Sequence, residues 1–331
     1  MTTNKLHTAE GKLTPDDMLS GSQVCAVLGK NPYSTPNDVL KRAFNAVKGI
    51  ENEFNPIENA HWGSTFEVPI LNHSAQKLGL GNPKTAFGRA YYHKDVPLAV
   101  SLDGMLKGDG REIKTDPSQN IYVMNAESIK LEGEGILESK LTGHEAEIDL
   151  PDYRGPIQLQ AQMDTVQSDT GKPVRWGAVC VLYKGVQLRI FLYQRDEILI
   201  RQIHDAAIDF DRRVNQYREN DETEWYPITT TKEASEMYDD VTEETIDLNT
   251  ELSDKAERII QIEQDIKSLA QELETYQAQI MANMRDYKHA NAGNYHITWG
   301  SINYKAVPEK VIPAKPARTV RVKKLRITKV K

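Results

Sequence analysis

The sequence predicts an α/β fold, a mixed central sheet flanked by helices, followed by a C-terminal long helix with a coiled-coil pattern and a short β and basic tail. Three observations carry this reading. In the first 220 residues, stretches with apolar residues three and four apart alternate with short β-branched runs of strand length. Further on, Ile259, Ile262, Ile266, Leu269, Leu273, Tyr276 and Ile280 recur at alternating spacings of three and four, and neither Gly nor Pro interrupts Leu252 to Ala292. Between these regions the charge balance breaks: Asp221 to Asp254 holds twelve acids and one base.

In chain order, Ser22–Leu28, Pro36–Val47 and Gly63–Leu78 have helical spacing. Ser22 suits the N-cap of the first, and Thr35-Pro36 suit N-cap and N1 of the second. Leu98–Leu102, Gly135–Leu141, Gly177–Tyr183 and Leu188–Tyr193 read as strands. A helix from about Asp152 to Val166 separates the second and third of these, and Glu197–Tyr217 closes a first domain assigned to residues 1–220. Within it, residues 107–133 read as an insertion containing Ile121-Tyr122-Val123-Met124, a hairpin decorating the sheet edge. Residues 221–254 read as an acidic linker and 255–292 as a helix of about ten turns. A helical arm packed on its own domain and a self-associating coiled coil both fit that helix. In residues 293–331, Tyr295–Trp299 and Ile302–Tyr304 alternate as strands around Gly300-Ser301. A tail with ten bases and one acid between Ser301 and Lys331 follows, which fits phosphate-backbone contacts or a solvated end.

Composition excludes several classes. At 39% hydrophobic and 27% charged residues the chain resembles an ordinary soluble protein, and its formal net charge of -7 averages over oppositely charged parts. Its two cysteines, Cys25 and Cys180, sit in apolar stretches and supply neither a disulfide framework nor a four-thiolate metal site, which fits a reducing cytoplasm. No signal-like segment or membrane span is expected. A phosphate-cradling G-x-x-x-x-G-K-[ST] loop and a G-x-G-x-x-G turn are both missing, and the eight histidines lack H-E-x-x-H spacing.

Carboxylate chemistry remains. Leu98–Gly104 is an apolar strand ending in Asp103-Gly104, and Gly135–Leu141 is a strand carrying Glu138-Ser139-Lys140. Strand alternation puts Glu138 and Lys140 on one face. Carboxylates from neighbouring strands, with the Ser139 carbonyl, suit a hard cation such as Mg²⁺ that keeps water and phosphate oxygens, and Lys140 beside it would orient or help deprotonate an attacking water. That is phosphodiester hydrolysis. A rival pair, Glu112 and Lys114, follows Asp103 closely enough to hairpin opposite it; the apolar Ile136-Leu137 run favours Glu138 and Lys140 as the central strand.

Five blocks in order extend this reading: Gly21–Gly29 (GSQVCAVLG) with Asn31-Pro32-Tyr33 and Thr35-Pro36, Trp62–Pro69 (WGSTFEVP), Ser101–Gly104 (SLDG), Leu137–Lys140 (LESK) and Gln158–Met163 (QLQAQM). Across about residues 20–215 the chain resembles the YqaJ-type viral recombinases, phage exonucleases of the lambda-exonuclease type within the PD-(D/E)XK nuclease superfamily. The resemblance implies a restriction-endonuclease-like sheet in which Asp103 and Glu138 hold metal and Lys140 is the catalytic lysine. It makes Glu67, on a helix beginning near Trp62, an outer carboxylate for a second metal, and gives Gln160 a contact with the nucleophilic water or a phosphate. Ser22 would receive a terminal phosphate at a helix N-terminus; where lambda-type members carry an arginine just before that serine, Gly11–Ser20 offers only Lys12.

The implied activity is Mg²⁺-dependent deoxyribonuclease (exonuclease) action, with two ions and Mn²⁺ as a substitute. Its substrate would be double-stranded DNA ends, resected 5′-to-3′ for single-strand annealing recombination. A single-strand annealing protein as partner, a homo-oligomer encircling DNA, and the cytoplasm of a phage-infected or prophage-bearing bacterium complete the implication. A non-catalytic DNA-binding recombination scaffold and a metal-dependent endonuclease or nickase on the same fold are the alternatives.

Overall fold

The computed structural model describes residues 13–50, 52, 58–238 and 242–300. The chain forms two compact units that meet between Ile228 and Thr229. In the first, the order is β1 (Leu19–Ser20), α1 (Val24–Val27), α2 (Pro36–Val47), α3 (Glu58–Lys77), β2 (Tyr91–Tyr92), β3 (Leu98–Val100), β4 (Gly104–Lys107), β5 (Glu112–Lys114), β6 (Ile121–Val123), β7 (Ser128–Lys130), β8 (Glu134–Thr142), α4 (Pro156–Thr170), β9 (Val174–Tyr183), β10 (Gln187–Gln194) and α5 (Glu197–Asn220). The second holds α6 (Thr231–Met237), α7 (Thr250–Met284), β11 (His289–Ala292) and β12 (Tyr295–Thr298). Among the described residues no helix is long and apolar enough to cross a membrane.

The central sheet runs β4-β8-β9-β10-β6, with β8–β9 and β10–β6 parallel and the other two pairs antiparallel. It is the mixed sheet that the sequence predicts. Alternation along β9 explains its central place: Trp176, Ala178 and Cys180 pack on one face with Ile70 and Leu71 of α3, while Val179, Val181 and Tyr183 pack on the other with α1, α2, α4 and α5. Burial pushes the Cys25 thiol up to about 11 and the Cys180 thiol up to about 12, so both stay protonated packing groups.

Local rules place the helix ends. Thr35 caps α2 in a full capping box with Asp38, and Pro36 stands at N1. Asp196 caps α5, accepting from the Ile198 and Leu199 N–H groups at 3.0 Å each.

Four sequence expectations shift. First, residues 107–133 are integral to the sheet: β6 is its far edge strand, and Ile121, Ile129 and Leu131 are buried in the α3-side core. The stretch reads as polar decoration because its apolar residues are spread over three short strands. Second, α3 starts at Glu58, ahead of Gly63, and carries Pro69 in its interior. Third, the start of the acidic segment is docked. Phe44 meets the Trp225 ring at 5.5 Å, Arg213 lies over the Tyr226 ring at 4.1 Å, and Asn37 exchanges two hydrogen bonds with the Tyr226 backbone, so aromatic anchoring overrides local charge. Fourth, α7 stops at Met284, and the hairpin that follows pairs β11 with β12 around Gly293-Asn294, where Gly293 takes φ 57° at the first turn position. The expected Ile302–Tyr304 strand and the basic tail lie outside the described residues.

A Cβ on Gly135 of β8 would stand 2.3 Å from the ring of fully buried Trp176. Gly135→Ala is expected to cost about 1–3 kcal/mol through overpacking, read as a lower denaturant midpoint at unchanged slope.

Candidate active site

The site forms where β8 outlasts its neighbour. β4 begins only at Gly104, opposite Leu137, so Glu138, Ser139 and Lys140 are paired only with β9. Asp103 occupies the vacated edge: its Oδ2 accepts the Ser139 N–H at 2.9 Å. A strand residue projects N–H and C=O to the same side, so the Ser139 carbonyl also faces this open edge. The chain reaches Asp103 from a separate three-stranded sheet, β1-β3-β2, crossing between sheets over Ser101–Asp103.

Strand period brings Glu138 and Lys140 together as predicted, with Lys140 Nζ donating to Glu138 Oε1 at 2.5 Å. Glu138 is 1% exposed. Its Oε2 accepts from Gln162 Nε2 at 2.6 Å, and the same amide donates to the Ser101 carbonyl at 3.0 Å, tying the β8 end to the corner that carries Asp103. Lys140 Nζ also donates to Gln158 Oε1 at 3.2 Å.

Electrostatics bind Glu67 to this group. Burial, then the charge of Glu138, raises its carboxyl above the usual range, while Lys140 pulls it back. For Asp103, burial and then Glu138 outweigh the Ser139 N–H and Lys140, and its carboxyl is pushed up to about 8. Burial works to lower the Lys140 ammonium, but Glu138, Asp103 and Glu67 outweigh it and hold it above an ordinary lysine. Three carboxylates thus share one ammonium. Glu67 stands in the middle of α3, not in the first turn that a helix starting near Trp62 would give it.

The structure leaves four predicted residues outside the cluster. Gln160 accepts from the Asp196 N–H at 2.9 Å and donates to the Gln194 carbonyl at 2.8 Å, fastening the β10–α5 corner. At about 100° per residue, Gln158 and Gln162 share one side of α4 while Gln160 lies about 200° round from Gln158, so the glutamines that meet Lys140 and Glu138 are its neighbours. Ser22 is not a cap: Gln23 holds that place on α1, a helix of four residues too short for an anion-binding terminus, and the exposed Ser22 hydroxyl meets that of Ser20 at 3.2 Å. Glu112 and Lys114 are exposed on β5, which pairs with β7 in a two-stranded ribbon. Glu112 bonds Ser128 there, so the rival pair does not face Asp103.

A second polar cluster escapes sequence reasoning because its members lie far apart in the chain. Asp164 of α4 takes His204 Nε2 at 2.6 Å, His93 Nε2 at 3.3 Å and Arg195 at 2.9 Å. Its two imidazoles and carboxylate converge closely enough to suggest metal ligation. Their hydrogen bonds argue otherwise. His93 Nδ1 accepts from the Asp95 and Val96 N–H groups at 3.1 Å each, which leaves the ring proton on Nε2, aimed at Asp164, and removes the lone pair that a metal would need. Arg195 already supplies the positive charge.

Asp103 sets a pH dependence. Without divalent ions its folded-state pKa of about 8 lies above the unfolded value of 3.8, so the folded chain keeps a proton that the unfolded chain has released. The stability from this group is full below about pH 4 and is lost as pH rises toward about 8. Thermal unfolding in EDTA across this window is expected to show the decline in the native chain and a smaller one in Asp103→Asn.

Residues 12–173 match the model of the YqaJ-like viral recombinase domain. Similar solved structures include LHK-Exo, an alkaline exonuclease from Laribacter hongkongensis, crystallised in complex with dAMP: identity is 15%, coverage 61% of this chain and 90% of that one, and the TM-score 0.41. A phage-related exonuclease from Haemophilus somnus 129PT is 13% identical over 60% of this chain and 96% of its own, with a TM-score of 0.35. No curated protein matches the sequence. The matched segment contains Glu67, Asp103, Glu138, Lys140, Gln158 and Gln162, and residues 12–173 are accordingly a YqaJ-like viral recombinase domain.

Proposed function

We propose that the chain is a Mg²⁺-dependent exonuclease that hydrolyses phosphodiester bonds at duplex DNA ends, resecting 5′-to-3′ for single-strand annealing recombination. One observation carries the reading: Glu67, Asp103 and Glu138 converge on Lys140 at an open strand edge, where one ammonium cannot balance three carboxylates. An all-oxygen donor set with surplus negative charge fits hard divalent cations. Asp103, Glu138 and the Ser139 carbonyl would hold them, with Glu67 as the outer carboxylate. When bound, Mg²⁺ or Mn²⁺ supplies an acidified water and offsets charge on the phosphoryl oxygens. The viral recombinase character of the matched domain supports the choice of DNA as substrate.

The chain's own residues have distinct tasks. Lys140, held as an ammonium by its carboxylate neighbours, orients water and counters developing negative charge; a neutral amine able to accept a proton is disfavoured there. Gln162 and Gln158 act as positioning residues, fixing Glu138 and Lys140 from behind.

Digestion of end-labelled linear duplex in Mg²⁺ tests the reading. Asp103→Ala and Glu138→Ala should each lower nucleotide release at least about a thousandfold, because each removes several kcal/mol of transition-state stabilisation, whereas Glu112→Ala retains activity. Cutting of a closed circle would make the enzyme an endonuclease, and DNA binding without cleavage in any divalent ion would make it a scaffold. Comparing 5′-phosphate with 5′-hydroxyl ends in the native chain and Ser22→Ala measures any part Ser22 takes in end recognition. A further outcome concerns the glutamines: Gln162→Ala should lower kcat with little change in KM, because Gln162 orients a catalytic carboxylate without itself binding substrate.

A further inference from the structure

Helix α7 is about 52 Å long for its 35 residues, and its apolar seam is uncovered: Ile259, Ile266, Leu273 and Ile280 at heptad position a, and Ile262, Leu269 and Tyr276 at d, are each between 38% and 63% exposed. A stripe this regular, three heptads long and bounded by polar residues, has the form of a coiled-coil face. We propose that this seam pairs with the same seam of another copy of this chain, in parallel and in register.

Charge decides both the occupant and its direction. In a parallel pairing each g position meets the following e position of the partner. Arg258 then meets Glu263, Asp265 meets Ala270, and Glu272 meets Gln277, so one contact is attractive and none is repulsive. Turning one helix round sets Ile259 opposite Tyr276 and brings Asp265 near Glu272 twice along the flank where g faces g, two like-charge contacts with no attraction in return. β-branched Ile at three of the four a positions, with Leu269 at the middle d, matches a parallel core.

Cysteine cross-linking of the full chain tests this, since the native Cys25 and Cys180 are buried. Under oxidised glutathione, Ile259→Cys and, separately, Leu273→Cys should each couple to themselves at least about tenfold faster than Gln264→Cys, which lies on the outer face of the helix. Adding Ile266→Asp and Leu269→Asp should abolish the advantage while circular dichroism still reports α7 helix. Coupling of Ile259→Cys chains to Tyr276→Cys chains in preference to themselves would overturn the parallel arrangement. Coupling of Ile259→Cys no faster than Gln264→Cys would overturn the pairing itself.

Discussion

Everything in the first unit answers to one electrostatic constraint: three carboxylates and one ammonium are gathered where β8 runs on beyond β4. Like charges at the edge of a core repel and resist desolvation, so they stay together only where backbone and side chains over-determine their positions. The crossing from β3 to β4 delivers Asp103, β8 delivers Glu138 and Lys140, and α3 delivers Glu67. The Ser139 N–H and the Gln162 amide then tie these separate deliveries to one another. Gly155 makes the last approach possible: with φ 119° and no side chain it starts α4 where a Cβ would crowd Val179 at 2.9 Å and reach within 3.6 Å of the Lys140 side chain.

What the sequence makes legible follows from how local each rule is. Alternation along a strand depends on nearest neighbours alone, so the facing of Glu138 and Lys140 is readable from residue order. The Thr35-Pro36 helix start is readable for the same reason. The choice among Gln158, Gln160 and Gln162 is of another kind. All three belong to one helix and two of them are buried, and which of them meets Glu138 depends on how α4 is rolled against the sheet, a property of packing that no local pattern encodes. The same holds for His93, Asp164, Arg195 and His204, which meet only because β2, α4, β10 and α5 converge.

Charge counting misleads in an instructive way. A run of acids marks an exposed linker on average, yet Trp225 and Tyr226 at its start are drawn onto α2 and α5, with Glu224 paired to Arg212 and Arg213. Two aromatic side chains outweigh several solvated charges because surface charges lose little by lying beside a docked segment, whereas ring burial and cation–π contact gain directly. The polar residues around it likewise make β6 read as decoration, although it completes the far edge of the sheet.

Helix α4 is gripped on two sides at once. Gln158 and Gln162 hold the β8 end, while Gln160 and Asp164, about 200° away, hold the corner between β10 and α5. Contacts on opposite faces oppose both sliding and rolling of the helix. A side-chain tip about 5–6 Å from the helix axis moves by about 1 Å when the helix rolls by about 10°. A displacement of that size is on the order of the misplacement that costs a hundredfold in rate. On the proposed function, the torsional rigidity of a single helix would then bear on the rate, and the histidine–arginine corner would be the anchor that supplies it.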